Sequence, residues 1–396
     1  MLLIGISGIP YIVQYATPII ISLLVITIIV LLFRRTHIDI SFIIFISIFI
    51  FLTYIQLTTF NVFPVNTVLG FISKIFVAYA ITKVLNRSFI TTYINCIIAI
   101  AIISFAFWIP ALVSSGLKSV IIKSAPFDVE NTFNSYIIFQ PNFGESGTFA
   151  RNSGPFWEPG AFAGFLMIAL LLNFIEFPKI SNRRNLVLLL SILSTFSTTA
   201  YISLFLFVFF IIIKHRNIVT SALVLIVFIP ISIIAYQNLP FLQEKLADQL
   251  EMSESKMAYT NHRTRFTSAA IDLKDFQEYP LAGRGKYDET RFSMGAKAIN
   301  RNNGLTDLLV MYGLIGFVLY FTYYFVSFRN IMKYYNKYLQ ATPYYYLLII
   351  LVLGFSENYF LLPFFWSLCF IGYSFANRKA SHNLNSNLLF QHSSNN

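Results

Sequence analysis

The chain has 396 residues, 57% hydrophobic and 11% charged, whereas soluble domains carry about 25% charged residues; with its repeated long apolar runs this predicts a polytopic membrane protein. The formal charge of +11 would suit nucleic acid, but no basic-aromatic platform or zinc-finger spacing accompanies it, so no nucleic-acid partner is expected and the excess cation is assigned to cytoplasmic loops. Two cysteines inside apolar spans (Cys96, Cys369), five scattered histidines and no Walker-type phosphate loop argue against a disulfide framework, a metal site and ATP-driven transport, and no cofactor is expected.

In chain order, residues 1–113 read as N-terminal membrane helices, with spans near 11–33, 38–58, 65–85 and 91–113. Residues 1–14 form a further short segment broken near Gly8-Ile9-Pro10; lacking a basic region before the apolar run, it reads as membrane segment rather than cleaved leader. A first outer loop follows at 114–157. The central region, 158–236, holds spans near 158–176 and 218–236. A large outer loop occupies 237–303, C-terminal membrane helices 304–376 (one near 304–326), and an Asn/Ser-rich tail, 377–396, is expected to be disordered in the cytoplasm.

Charge sets the expected orientation. Arg34/Arg35, Lys83/Arg87, Lys179/Arg183/Arg184, Lys214/Arg216, Arg329/Lys333/Lys337 and Arg378/Lys379 punctuate the apolar runs and are placed on the cytoplasmic side. Residues 186–213 have basic residues at both ends and must cross an even number of times. They are too short for two full helices of roughly 20 residues each. A pair of short helices or a re-entrant hairpin is expected, with its tip in the polar centre SILSTFSTTAYIS. The same reasoning makes 343–376 a hairpin turning near Ser356-Glu357-Asn358. The expected fold is therefore an all-α polytopic bundle of about 10–12 transmembrane helices under a large helical outer loop. In that loop, 239–250 reads as a short helix through Leu242, Leu246 and Leu250. Residues 262–278 read as another, with Phe266, Ala269, Ala270 and Leu273 on one stripe and Pro280 as its stop.

Three acids fall at outer ends of apolar segments: Glu158, Asp307 and Glu357. Four arginines lie in the outer loops: Arg151, Arg263, Arg265 and Arg284. A partly desolvated carboxylate can act as general base, and guanidinium forks suit phosphate oxygens. Together they match transfer of a sugar from a lipid diphosphate to an acceptor hydroxyl, with a carboxylate as base and the arginines stabilising the departing diphosphate without a required metal. Glu357, Asp307, His262 and Asn303 are further candidates. Each has a plainer reading: Glu158 and Asp307 as helix-start acids, Glu357 as a solvated hairpin-tip residue, His262 as a surface histidine. Arg263 and Arg265 could pair with Asp272 or Glu278, and Gly283-Arg284-Gly285 could be only a turn. The Ser/Thr run 194–199 could hydrogen-bond between helices.

Arg151 to Ala163, R-x-x-G-P-F-W-E-P-G-A-F-A, opening a membrane helix after an outer loop, resembles the oligosaccharide repeat-unit polymerases of the O-antigen polymerase and ligase superfamily. Arg265, a helix, then Tyr279-Pro280-Leu281-Ala282-Gly283-Arg284-Gly285 is similar to that family's arginine, helix and N-P-x-x-G-x-G pattern. Asn302 to Asp307, running into Tyr312-Gly313-Leu314-Ile315-Gly316, resembles the segment after its large loop. The resemblance implies polymerisation of polyprenyl-diphosphate-linked oligosaccharides into O-antigen, capsule or exopolysaccharide at the outer face of a bacterial cytoplasmic membrane. Implied partners are that substrate, membrane lipid and, as an optional one, a chain-length regulator protein. Ligases of the superfamily carry a histidine beside asparagine at the position of Asn302-Asn303; it is absent here, which favours polymerase over ligase and, in a polymerase reading, implies Glu158 as the catalytic base. A flippase or secondary transporter is the alternative from another class. It would place its charges near the bilayer midplane, often with repeat symmetry, which this sequence lacks.

Overall fold

The computed structural model describes residues 1–129, 133–141, 143, 150–215, 265–287, 290, 302–335 and 343–376. The predicted span 218–236, the predicted helix 239–250, His262, Arg263 and the tail lie outside the described residues.

Short helices α1 (Leu2–Gly5) and α2 (Pro10–Val13) precede four long ones: α3 (Ala16–Phe33), α4 (Ile40–Phe60), α5 (Val65–Leu85) and α6 (Ser88–Val113). Then come α7 (Ser115–Lys123) and a small antiparallel hairpin, β1 (Phe127–Val129) with β2 (Phe133–Ser135), in which Asp128 faces Asn134. The central region contains α8 (Pro159–Glu176), α9 (Arg183–Ser194) and α10 (Thr198–His215). The rest comprises α11 (Arg265–Glu278), α12 (Gly304–Tyr335), α13 (Pro343–Ser356), α14 (Pro363–Phe370) and α15 (Tyr373–Ala376). Proline stands at the first helical position of α2, α8 and α14, where its missing N–H costs nothing and its fixed φ suits the helix start.

Among the described residues six helices, α3, α4, α5, α6, α8 and α12, are long and apolar enough to cross a membrane, as in a multi-pass membrane protein. The ten to twelve expected include the span 218–236, outside the described residues, and the shorter helices of 186–213 and 343–376. Stretch 186–213 is divided between α9 and α10 with a turn at Thr195–Ser197, and 343–376 among α13, α14 and α15. α9, α13 and α14, of 12, 14 and 8 residues, are shorter than a full crossing needs, whereas α10 has 18. The β1–β2 hairpin is a departure from an all-α chain.

Helix α8 is the centre of the bundle. Its apolar window is 89% buried, against 11% for α3, which presents its side chains outward. A helix apolar on every side needs partners or lipid all round, and α8 has protein. The Tyr93 hydroxyl of α6 donates to the Phe165 carbonyl at 2.7 Å, and Phe156 stacks on Phe165 with centroids 4.4 Å apart. Beside α8, Trp366 is fully buried among Tyr320, Phe49 and Phe71, its ring nearly perpendicular to all three. Edge-to-face packing of this kind supplies contact energy that lipid-exposed helices cannot obtain from the hydrophobic effect.

The two ends of the bundle differ. At one, Arg34 donates to the Val84 carbonyl at 2.8 Å, Lys83 pairs with Asp39 at 3.0 Å, and Arg87 lies over Tyr334 at 4.9 Å. At the other meet the starts of α8, α10, α11, α12 and α14 and the ends of α9 and α13. The amino terminus also closes on that end: the Phe364 amide donates to Ser7 Oγ at 2.8 Å, and a Cβ on Gly8 would stand 2.6 Å from the Phe156 ring.

Helix α12 is broken at Gly313, with φ +62°. Residues 280–285 lie in the break. The amides of Arg284 and Gly285 donate to the Val310 and Met311 carbonyls (2.8 and 2.9 Å), and the Leu314 amide donates to the Pro280 carbonyl (2.8 Å). Gln56 of α4 stitches both segments, donating from Nε2 to the Ala282 and Met311 carbonyls at 2.6 and 2.8 Å. Gly283, φ +74°, has no room for a side chain: its Cβ would be 2.5 Å from the Gly313 nitrogen. The G-x-G pattern thus has a local steric cause.

Candidate functional site

The loop before α8 is pinned on both sides. Asn152 donates from Nδ2 to Ser104 Oγ of α6 (2.9 Å) and Ser194 Oγ of α9 (3.0 Å), and its amide donates to the Ser194 carbonyl (3.1 Å). Its Oδ1 accepts from the Gly154 amide at 3.0 Å. This anchoring fixes the neighbouring Arg151, whose Nε donates to the Thr195 carbonyl at the α9–α10 tip, 3.2 Å away. Burial pulls the Arg151 guanidinium down from its ordinary value, while the nearby Glu158 carboxylate pushes it up.

Glu158 is the N-cap residue of α8, in extended backbone, yet its side chain makes no capping bond. The half-buried carboxylate instead lies near Glu357: one point above the Gly160 Cα is 2.5 Å from Glu357 Oε1 and 3.5 Å from Glu158 Oε1. Glu357 sits in the turn between α13 and α14 and is buried. Arg265, at the head of α11, donates from Nη2 to Glu357 Oε1 at 3.0 Å and from Nε to the Ser356 carbonyl at 2.7 Å. The tip is tied to the other hairpin by Thr199 Oγ1, which donates to Ser356 Oγ at 2.8 Å. It is tied to α8 by the Tyr359 hydroxyl, which donates to the Gly160 carbonyl at 2.7 Å. Burial, and then the Glu158 carboxylate, push the Glu357 carboxyl well above its ordinary range; Arg265 opposes them.

Four of the sequence-derived candidates, Arg151, Glu158, Arg265 and Glu357, thus converge from three separate segments: the loop before α8, the head of α11 and the α13–α14 turn. The others are placed differently. Asn303 caps α12: its Oδ1 accepts from the Leu305 and Thr306 amides, both at 3.1 Å. Asp307 stands buried in the first turn of α12, where a carboxylate complements the helix dipole. Arg284 is buried against the end of α11, pairing with Glu278, donating to the Thr290 carbonyl at 2.9 Å and lying over the Tyr279 ring. Glu278 was a sequence-level partner considered for Arg265, but Arg284 holds it.

Sequence reasoning missed Asn152, Gly160 and Tyr359. Asn152 had a signal, a lone amide beside Arg151 in a Gly/Ser/Asn run; the other two gain meaning only once distant segments meet. Among the described residues no group of three or more His, Cys, Asp or Glu side chains could hold a metal ion. Chemically, the arrangement pairs a carboxylate base with cations able to receive an anion. No protein-family model and no curated protein matches the chain.

Proposed function

We propose that the protein is a membrane glycosyltransferase that polymerises polyprenyl-diphosphate-linked oligosaccharide repeat units at the outer face of a bacterial cytoplasmic membrane. The observation that carries this reading is the meeting of Glu158 with Arg151 and Arg265 where apolar helices end. The acceptor hydroxyl attacks the anomeric carbon of the donor sugar. The bond from that carbon to the diphosphate oxygen breaks, the electron pair leaves with the lipid diphosphate, and the hydroxyl proton passes to Glu158.

Arg151 is the diphosphate ligand in this reading. Its Nε is held by Thr195, and among the described residues its Nη atoms make no ion pair, so the fork is available to phosphate oxygens. Arg265 is committed to Glu357 and Ser356 and adds charge from behind. The motif resemblance at 151–163 and 279–285 supports the same reading, and the basic opposite end of the bundle suits a cytoplasmic side.

The test is Glu158→Gln and Arg151→Ala in cells, read as a polysaccharide ladder. Loss of a general base costs about 10²–10⁴ in rate, so the ladder is expected to collapse to single repeat units on their final acceptor. Undiminished long chains, with the protein still in the membrane, would overturn the reading. No exported units would indicate a flippase, and polymer left on the carrier lipid a ligase.

A further inference from the structure

We infer that Glu357 is a positioning residue for Glu158: the two carboxyls share one proton, which Glu357 holds and donates to the Glu158 carboxylate across the bare Cα of Gly160. The inference rests on the reading of Glu158 as the base. Three features of the geometry carry it.

Gly160 is the seat of the pair. A Cβ there would stand 2.5 Å from Glu357 Oε1 and 3.5 Å from Glu158 Oε1, so any side chain at this position would occupy the space where the carboxyls approach. The Glu357 tip is also held from outside the pair. Arg265 fixes Oε1, Tyr359 fastens the turn to α8, and Gly304 of α12 packs its backbone on the Glu357 carbonyl. Finally, Glu158 leaves its helix amides uncapped, so its carboxylate is directed to this partner instead of the usual one.

Among the described residues, the charged and titratable groups that face Glu357 are Glu158 from α8, Arg265 from α11, Arg151 from the loop before α8, and Tyr359 from its own turn. Two neighbouring carboxyls disfavour ionising together, and burial disfavours charge on the deeper one. With one proton retained, two guanidiniums face one carboxylate and the cluster carries one net positive charge. When Glu158 takes the acceptor proton, both carboxyls are neutral and the net charge becomes two. The site's positive charge therefore grows in the step in which negative charge grows on the departing diphosphate, which is where added attraction accelerates a reaction.

Infrared spectroscopy of the full-length protein in lipid nanodiscs tests the pair without reference to activity. The wild type is expected to show a protonated-carboxyl band at neutral pH that Glu357→Gln removes. Gly160→Ala, which changes no titratable group, is expected to shift that band and to lower polymer formation about a hundredfold through misplacement of the base. In the pH–rate profile, the alkaline limb of the wild type should be missing from Glu357→Gln, because glutamine cannot lose its proton. A neutral-pH spectrum with no band sensitive to Glu357→Gln, or an alkaline limb unchanged in that variant, would overturn the inference. A sensitive band combined with full polymer formation by Glu158→Gln would instead defeat the functional reading and leave the pair standing.

Discussion

Arg265 and Glu357 are 92 positions apart in the chain, yet the guanidinium holds the carboxyl at 3.0 Å and the preceding Ser356 carbonyl at 2.7 Å. One side chain therefore fixes both the direction of the tip backbone and the orientation of its acid. Arg265→Gln is expected to cost about 1–3 kcal/mol, the range for hydrogen bonds to charged groups, because Glu357 can stay neutral rather than remain a lone buried charge. Arg265→Lys should recover only part of the loss, since an ammonium cannot reproduce the two-point fork. Thermal unfolding in detergent at neutral pH measures both.

The raised Glu357 carboxyl makes stability depend on pH. The folded state keeps its proton above the pH at which an unfolded chain releases it. Between the ordinary carboxyl value and the raised one, the folded state therefore binds more protons, and stability falls as pH rises through that window. Glu357→Gln should remove this slope and be the more stable form relative to wild type at the alkaline end. Melting temperatures of both proteins across the window check the sign.

Two glycines should respond oppositely to alanine. Gly283 has φ +74° and is packed against backbone, so Gly283→Ala should destabilise by more than the ~1–2 kcal/mol of a left-handed residue alone. Gly70 lies inside α5 with nothing within 4 Å of its Cβ position, so Gly70→Ala should stabilise by about 0.5–1 kcal/mol. Unfolding of the two variants side by side compares them.

Asn303 should behave as a cap. Asn303→Ala is expected to cost about 1 kcal/mol and Asn303→Ser much less, since the hydroxyl can accept from the same amides. Thermal unfolding measures the cost; loss of polymer by Asn303→Ser with unchanged stability would instead give Asn303 a chemical role.

The long helices were legible because apolar runs and proline starts act locally: Pro159 is the first residue of α8. The turn at Thr195–Ser197 falls inside the polar stretch that the length argument selected. The break at Gly313 was not legible, since it follows from insertion of residues 280–285 rather than from hydropathy. Nor was the β1–β2 hairpin, three residues a side and too short for a periodic signal. At the site, residue type alone gave Arg265 and Arg284 equal standing. Arg284 pairs with Glu278 six positions away, whereas Arg265 meets Glu357 across 92 positions, a contact beyond the reach of local pattern.

The enclosure of α8 leaves that helix no freedom to tilt without disturbing neighbours on every flank. Glu158, at its head, is thereby anchored like the fixed jaw of a vice. Arg151 in the loop before α8, Arg265 at the head of α11 and Glu357 in the α13–α14 turn gather around it. In the proposed glycosyltransferase reading, changes in those outlying segments would retune substrate preference while the Glu158 carboxylate keeps its place.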